Sequence, residues 1–467
     1  MDYGGFKRHV HDAAERFRRL DGQIRLISHL DCDGMASAAI MIRAFNQAGK
    51  GYALSVVQQL NRKITHELSI DRAPTIVFAD LGSGQLAAIN EELQGKQVIV
   101  LDHHEPADVK PAPHVLHVNP HDFGIDGSTE ISGSGVCYLF AKALSEKNSA
   151  LAHLAVIGAI GDVQEHNGFL SLNGEILQEA IAQKKIVVQR GLRFFGRQTR
   201  PVHKLLEYST NPFIPDVSGS ESGAIQFLQQ IGIDPRLGKG WKRLAHLNAE
   251  EQRRLIEGIV LKRAGLEHPE DVLGNIYLLQ DEDEDTPFRD GREFSTLLNA
   301  CGRLNKASIG ISACLGDEKA KQKAVANLTS YRREIVGAMK WFRAHKETRH
   351  VIKGDSYLII NAEDNILGTI AGTMASILSN SSEFKPGTLI LSMAQLMDNT
   401  TKVSLRIAGR NGSDLRQVIN QITAAAGGES GGHMNAAGAI IPTDMEAQFL
   451  EKAQEILEKV SVEELVR

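Results

Sequence analysis

Three short apolar runs in the first hundred residues each end in side chains that bind hard cations. IRLISHLDCDG (24–34) ends in His29, Asp31 and Asp33, TIVFADLGSG (75–84) in Asp80, and QVIVLDHHEP (97–106) in Asp102, His103 and His104. Apolar runs of this length, rich in branched residues and bounded by polar and glycine residues, read as strands buried on both faces. A helical pattern, MASAAIMIRAFNQAG, follows the first run, and HVLHV (114–118) reads as another short strand. Strands alternating with helices predict a parallel sheet covered on both sides. In such a sheet functional groups gather in the crevice beyond the carboxyl ends of the strands, so the three clusters face one another. Asp162, closing the apolar helix ALAHLAVIGAIGD, is a fourth contributor.

So many carboxylates cannot share a low-dielectric crevice without compensation, because like charges a few ångströms apart repel strongly. A pair of divalent cations removes the conflict. Mixed Asp and His ligands suit Mn²⁺, with Mg²⁺ possible and Zn²⁺ less suited without thiolates. Two such ions about 4 Å apart polarise a phosphate and generate a hydroxide nucleophile, so the chemistry implied is phosphoester hydrolysis. Each element alone has a plainer explanation. An aspartate after a strand is commonly a helix N-cap, and a lone histidine is commonly structural. The ordered set, all at strand or helix ends, is not what capping alone produces.

At 467 residues the chain is too long for one ordinary domain. After the α/β first part, the stretch from about 190 to 345 is helix-rich and more charged, with an acidic run DEDED (281–285) that reads as a solvated loop. Residues 321–347 read as one long helix. From about 350 the pattern returns to α/β, with SYLIINA, GTLILSM and KVSLRIAG as strands and the closing MEAQFLEKAQEILEKV as a helix. The net charge of −5 excludes a histone-like coating protein but not a local basic surface. No apolar run is long enough to cross a bilayer, and the charged N-terminus lacks the apolar core of a signal peptide, so a cytoplasmic protein without membrane contact is expected. Four scattered cysteines suggest neither a disulfide framework nor a zinc knuckle.

LISHLDCDGMASAAI, FADLGSG, LDHHEP and GAIGDVQE, in that order, resemble the four motifs of the DHH phosphoesterase superfamily, named for the triplet found here at 102–104. GGESGGHMNAAGA (427–439) resembles the glycine-rich motif of the DHHA1 domain that accompanies it. The FSTLLNACGRL segment (294–304) and the helical middle are similar to the archaeal RecJ-like branch that includes the GINS-associated nuclease. The resemblance implies an α/β protein. It would have an N-terminal parallel-sheet DHH domain (1–190), a helical insert with a connecting helix (191–347) and a C-terminal α/β DHHA1-type domain (348–467). It implies a metal-dependent exonuclease on single-stranded DNA or RNA, 5′→3′, in replication or repair, with GINS and the replicative helicase as candidate partners. The same resemblance leaves open a small-oligonucleotide or nucleoside-bisphosphate phosphatase, and a replisome scaffold that binds GINS.

Carried onto this sequence, the resemblance has His29 and Asp31 holding one metal ion and Asp80 bridging both. Asp33, His103 and Asp162 would hold the second. Asp102 would orient His103 from behind, and His104 would donate to the scissile phosphate. His29 departs from the bacterial pattern, where an acidic residue is common, and lowers the negative charge of the site. The helicase-cofactor relatives have lost ligands that are all present here.

Gly431, Gly432 and His433 read as a glycine-rich turn entering a strand, where backbone amides can approach a phosphate. Arg406, on the strand KVSLRIAG, and Arg303, in NACGR, are candidates for backbone phosphate contacts, because the guanidinium fork binds two oxygens. QRGLRFFGRQTRPVHK (189–204) interleaves Arg190, Arg193, Arg197, Arg200 and Lys204 with Phe194 and Phe195. It reads equally as a single-strand groove and as an amphipathic helix with its phenylalanines in the core.

Overall fold

In the computed structural model the charged N-terminal segment folds as α1 (Tyr3–Arg18), whose N-cap Asp2 accepts the Gly5 amide at 2.7 Å. Residues 1–165, 168–209, 212–265, 268–381, 383–409, 414–433 and 436–465 are described, the side chains of 433 and 461–465 excepted. They divide into two units, Met1–Val325 and Ala326–Arg467.

The first unit continues with β1 (Ile24–His29), α2 (Cys32–Gln47), β2 (Tyr52–Val57), α3 (Arg62–Ser69), β3 (Thr75–Ala79), α4 (Leu86–Glu92), β4 (Gln97–Leu101) and β5 (Val115–Val118). The five strands form one parallel sheet in the order β2-β1-β3-β4-β5. On one face Ile27, Ile76, Phe78, Val98 and Val100 bury against Leu68 of α3 and Leu86 and Ile89 of α4. Strand side chains alternate between faces, so Leu26, Val77 and Ile99 serve the other face. There α2 packs against the sheet together with α5 (Gly133–Leu144), and α6 (Ala152–Gly161) packs on both helices. The three apolar runs are therefore adjacent, parallel and buried, which is why their terminal ligands meet.

Beyond α7 (Ser171–Ala182), β6 (Ile186–Leu192) leads into the insert, formed by α8 (Val202–Glu207), α9 (Glu221–Gln230), a minimal hairpin of β7 (Arg236–Leu237) and β8 (Gly240–Trp241), and α10 (Ala249–Lys262). These helices have their own core, including Leu205, Leu206, Phe227, Leu255 and Ile259. The chain returns through β9 (Leu273–Leu279), antiparallel to β6, into α11 (Gly291–Arg303), α12 (Ala307–Cys314) and the long α13 (Glu318–His345). Segment 189–204 is not the amphipathic helix that is one of its two readings. It starts in β6, passes through a turn and ends in the first turns of α8, with Phe194 and Arg197 buried and Arg200 stacked over Phe195.

The second unit holds β10 (Val351–Lys353), β11 (Tyr357–Asn361), α14 (Gly368–Ser379), β12 (Leu389–Gln395), β13 (Thr400–Ile407), α15 (Leu415–Ala426), β14 (Glu429–His433), β15 (Ala436–Pro442) and α16 (Glu446–Leu465). Its mixed sheet runs β10-β11-β12-β13-β15-β14, with only β11 and β12 parallel. α15 and α16 cover one face, through Leu415, Ile419 and Phe449. α14 and the second half of α13 cover the other, through Ile370, Met374, Ala338 and Phe342. Gly431 and Gly432 do not lie in a turn: Gly431 pairs with Gly438 and Gly432 with Ala437, so both lie in β14, the edge strand of this sheet, where a neighbouring strand satisfies the backbone on one side. Among the described residues no helix is long and apolar enough to cross a membrane.

Candidate metal centre

The loops leaving β1, β3 and β4 and the end of α6 bring His29, Asp31, Asp33, Asp80, Asp102, His103, His104 and Asp162 together in the first unit. Their donor atoms fall into overlapping groups: His29, Asp31 and Asp80; Asp33, His103 and Asp162; and Asp80 with the 102–104 triplet. Asp80 joins the first group to the third, and His103 joins the second to the third. One oxygen of Asp80 lies 3.9 Å from His29 Nδ1 and the other 3.3 Å from His103 Nε2. His29 Nδ1 is 2.8 Å from Asp31, and His103 Nε2 is 3.3 Å from Asp162 and 3.8 Å from Asp33.

Each histidine is fixed by its other ring nitrogen on a backbone carbonyl. His29 Nε2 lies 3.2 Å from the Gln58 oxygen and His103 Nδ1 lies 2.6 Å from the Gly127 oxygen. The nitrogens that face the carboxylates, His29 Nδ1 and His103 Nε2, are buried, as is Asp80 Oδ1; His29 Nδ1 is paired with the Asp31 carboxylate, and among the described residues neither His103 Nε2 nor Asp80 Oδ1 has a hydrogen-bond partner. Buried polar atoms left unsatisfied are costly and call for a partner. A donor set of imidazole nitrogens and carboxylates, each ring oriented from behind, fits divalent cations.

The electrostatics agree. Burial, followed by the carboxylates of Asp33, Asp31, Asp162 and Asp102, pushes Asp80 well above the usual range. Burial and Asp33 raise Asp162 to about 6, with His103 pulling the other way. Burial also acts upward on Asp31, but the neighbouring His29, the Gly34 amide and Arg303 outweigh it and hold that carboxylate low. Asp80 further adopts a left-handed backbone, φ 64°, a conformation uncommon outside glycine and found at sites where surrounding structure enforces it. Gly133 crowds it, since any side chain there would collide with the Asp80 carboxylate.

Local folding explains the remaining positions. Asp31 is the N-cap of α2, accepting the Gly34 amide at 3.0 Å, so the plain capping role and the ligand role coincide in one carboxylate. Asp33 accepts the Gly133 and Ser134 amides, at 2.7 and 3.1 Å, at the start of α5, where the helix dipole favours an anion. Asp102 does not hold the His103 ring, which the Gly127 carbonyl orients instead. Its carboxylate accepts the Ser83 and His103 amides and His104 Nδ1, the last at 2.8 Å. The ring it aims is therefore His104. Despite burial, His104 is raised by the Asp102 charge, and Asp102 is held far below the usual range by His104 and His103.

Arg303 ends α11 close enough to Asp31 to act on its charge. In the second unit, Arg406 donates to Ser376 Oγ at 3.0 Å and to the Leu405 and Ala437 carbonyls, while Gly431 and Gly432 are exposed on the edge strand. The side chain of His433, with Met434 and Asn435 of the same motif, lies outside the described residues. Sequence reading missed Gln58, Ser83, Gly127 and the 133–134 amides, all of which act through the backbone. It also missed Gln164, whose Nε2 donates to the Gly127 carbonyl at 2.9 Å and lies 3.5 Å from Asp162. The available signals were the Ser132 N-cap and the glycines that follow it.

Three family models match this chain: the DHH family N-terminal domain over residues 23–160, the DHH-CID domain over 194–272 and the DHHA1 domain over 354–459. An uncharacterized protein of Methanocaldococcus jannaschii is 30% identical over 455 residues, covering 93% of each chain. The single-stranded-DNA-specific exonuclease RecJ of Thermus thermophilus is 27% identical over 252 residues, which are 51% of this chain and 34% of RecJ. The crystal structure of RecJ with Mn²⁺ from Thermus thermophilus superposes with a TM-score of 0.59 at 17% identity, over 97% of this chain and 55% of that one. CDC45 from Entamoeba histolytica gives 0.63 at 12% identity, over 98% of both.

Proposed function

Because this chain belongs to the RecJ-like DHH superfamily of phosphoesterases and nucleases, we propose that it is a two-metal exonuclease. It hydrolyses phosphodiester bonds of single-stranded DNA from the 5′ end, releases mononucleotides and serves replication or repair in the cytoplasm. The observation that carries this reading is the pair of histidine nitrogens, His29 Nδ1 and His103 Nε2, set on the two oxygens of the buried Asp80 among three further carboxylates. His29 and Asp31 would hold one cation, Asp33, His103 and Asp162 the other, with Asp80 within reach of both. The bound pair, Mn²⁺ or Mg²⁺, supplies phosphate polarisation and the acidification of water.

The protein's own groups do the rest. Asp102 fixes His104 by its Nδ1, so that Nε2 presents a proton to the phosphate oxygen where charge develops. Arg303 takes a phosphate beside Asp31. In the second unit Arg406, His433 and the amides of Gly431 and Gly432 bind phosphate. A replisome scaffold that binds GINS and the helicase is the second reading, favoured by the likeness to CDC45 over nearly the whole of both chains. The complete ligand set favours the enzyme.

The test uses purified protein with Mn²⁺ or Mg²⁺ and single-stranded DNA or RNA labelled at either end, beside Asp80→Ala and His103→Ala. Stepwise shortening from the 5′ end, absent in both variants, is the expected result. Hydrolysis of dinucleotides or nucleoside bisphosphates alone would replace the exonuclease with a small-substrate phosphatase. Inactivity on every substrate would leave the scaffold.

A further inference from the structure

The turn that carries His29, Asp31 and Asp33 is five residues long and supplies three of the six candidate ligands. Its own hydrogen bonds leave one amide of the turn without a partner. Cys32 is the first residue of α2, and the first amides of a helix have no carbonyl partner within it. Asp31 caps Gly34, which leaves the Cys32 amide, between the two aspartates, to be satisfied from elsewhere. It donates to Asn299 Oδ1 at 2.9 Å, across 267 residues of sequence.

Asn299 sits on α11, and the same helix supports the turn at a second point. Gly302 lies so close to the Leu30 carbonyl that any side chain there would collide with it. The opposite wall is equally tight: Cys32 Sγ is 3.4 Å from the Ile157 carbonyl of α6, and Gly161 abuts the same side chain. The other end of α11 is anchored as well. Its N-cap Asp290 accepts the Arg292 and Glu293 amides. Glu293, 2% exposed, accepts the Gln198 amide at 2.7 Å and the Thr199 hydroxyl. α11 is therefore a strut of about 18 Å, at 1.5 Å per residue, tied to segment 198–199 at one end and to the ligand turn at the other.

We propose that Asn299 is a positioning residue of the metal centre: by holding the Cys32 peptide it sets the direction in which Asp31 and Asp33 present their carboxylates to the two cations. This rests on the two-metal reading of the site. Asn299 would act through the Cys32 peptide. Groups that orient ligands from behind typically contribute 10- to 100-fold in metal affinity, so the expected effect is on the metal dependence.

The experiment titrates Mn²⁺ into the metal-free full-length chain and its variants by calorimetry and electron paramagnetic resonance, with thermal unfolding in EDTA alongside. Asn299→Leu, close in shape but without an acceptor, should weaken Mn²⁺ binding about tenfold or more and shift the Mn²⁺ requirement of hydrolysis to the same extent. Asn299→Asp, which keeps the acceptor oxygen, should stay within about threefold of the wild type. Asn299→Ala serves if the leucine variant does not fold. Leucine or alanine variants that bind Mn²⁺ like the wild type, whatever their melting temperature, overturn the inference. An aspartate variant as weak as the leucine one overturns it too, since the acceptor would then not matter. A wild-type chain that binds no Mn²⁺ refutes the metal reading itself, a different outcome from either.

Discussion

Asp162→Asn should stabilise the metal-free protein while removing its activity. Burial and Asp33 raise the Asp162 carboxyl from an ordinary 3.8 to about 6. A carboxyl whose folded pKa lies above its unfolded one costs nothing below about pH 4, and its contribution to stability is lost as pH rises through 6. A difference of roughly two pH units at 1.36 kcal/mol each amounts to about 3 kcal/mol at pH 8. The side chain is 22% exposed, so solvent trims this toward about 2 kcal/mol. Asparagine removes the charge and keeps an oxygen within reach of Gln164. Unfolding of both proteins in EDTA should coincide near pH 4 and separate by that margin at pH 8, with the variant the more stable. Excess Mn²⁺ should then reverse the order, because a ligand at one hundred times its Kd adds about 2.7 kcal/mol to the form that binds it. A variant no more stable than the wild type at pH 8 in EDTA would refute the argument that the carboxylates are held together against repulsion.

Glu293 offers a second titration, away from the ligands. Burial, then Asp290, raises it to about 7, so the stability it contributes is complete below about pH 4.5 and lost through 7. Glu293→Gln should gain about 3 kcal/mol over the wild type by pH 9, read from unfolding midpoints between pH 5 and 9, and parallel profiles would defeat the reasoning. Gly133→Ala should abolish Mn²⁺ binding by calorimetry, since its Cβ must displace the Asp80 carboxylate, at an overpacking cost of about 1–3 kcal/mol. Gly84→Ala, with nothing within 4 Å of its Cβ, is the matched control, and equal behaviour of the two would count against a crowded Asp80.

The parallel sheet and the acidic cluster at its carboxyl edge were legible because each group of candidate ligands is contiguous with its strand. A run that reads as buried β carries its chemistry at its own carboxyl end, and the sheet only has to stack three such runs. What escaped lies in features with no side-chain signature. β2 was invisible because YALSVV (52–57) is half-buried throughout at a sheet edge, so it lacks both the continuous apolar run and the clean alternation. β6 and β9 pair across eighty intervening residues, 193–272, and a non-local partner cannot be read from either strand alone. The glycines at 431–432 suggested a turn, yet the pairing with Gly438 and Ala437 made them a strand. Asp102 was assigned to the wrong histidine because the group that orients His103 is a carbonyl, and every residue has one.

The two candidate ligand histidines, His29 and His103, turn opposite ring nitrogens toward Asp80, which bears on their replacement. An asparagine amide reaches about as far from the backbone as Nδ1, and a glutamine amide about as far as Nε2. Asparagine is therefore the nearer mimic at His29, and glutamine the nearer at His103. Exchanging the two substitutions would leave a gap at one position and a collision at the other. With a cation on Nδ1 of His29 and on Nε2 of His103, as proposed, the rings would also be opposite tautomers, the proton lying on Nε2 of His29 and on Nδ1 of His103, each facing a backbone carbonyl. Nitrogen-15 resonances of the imidazoles should distinguish them without any assay of turnover.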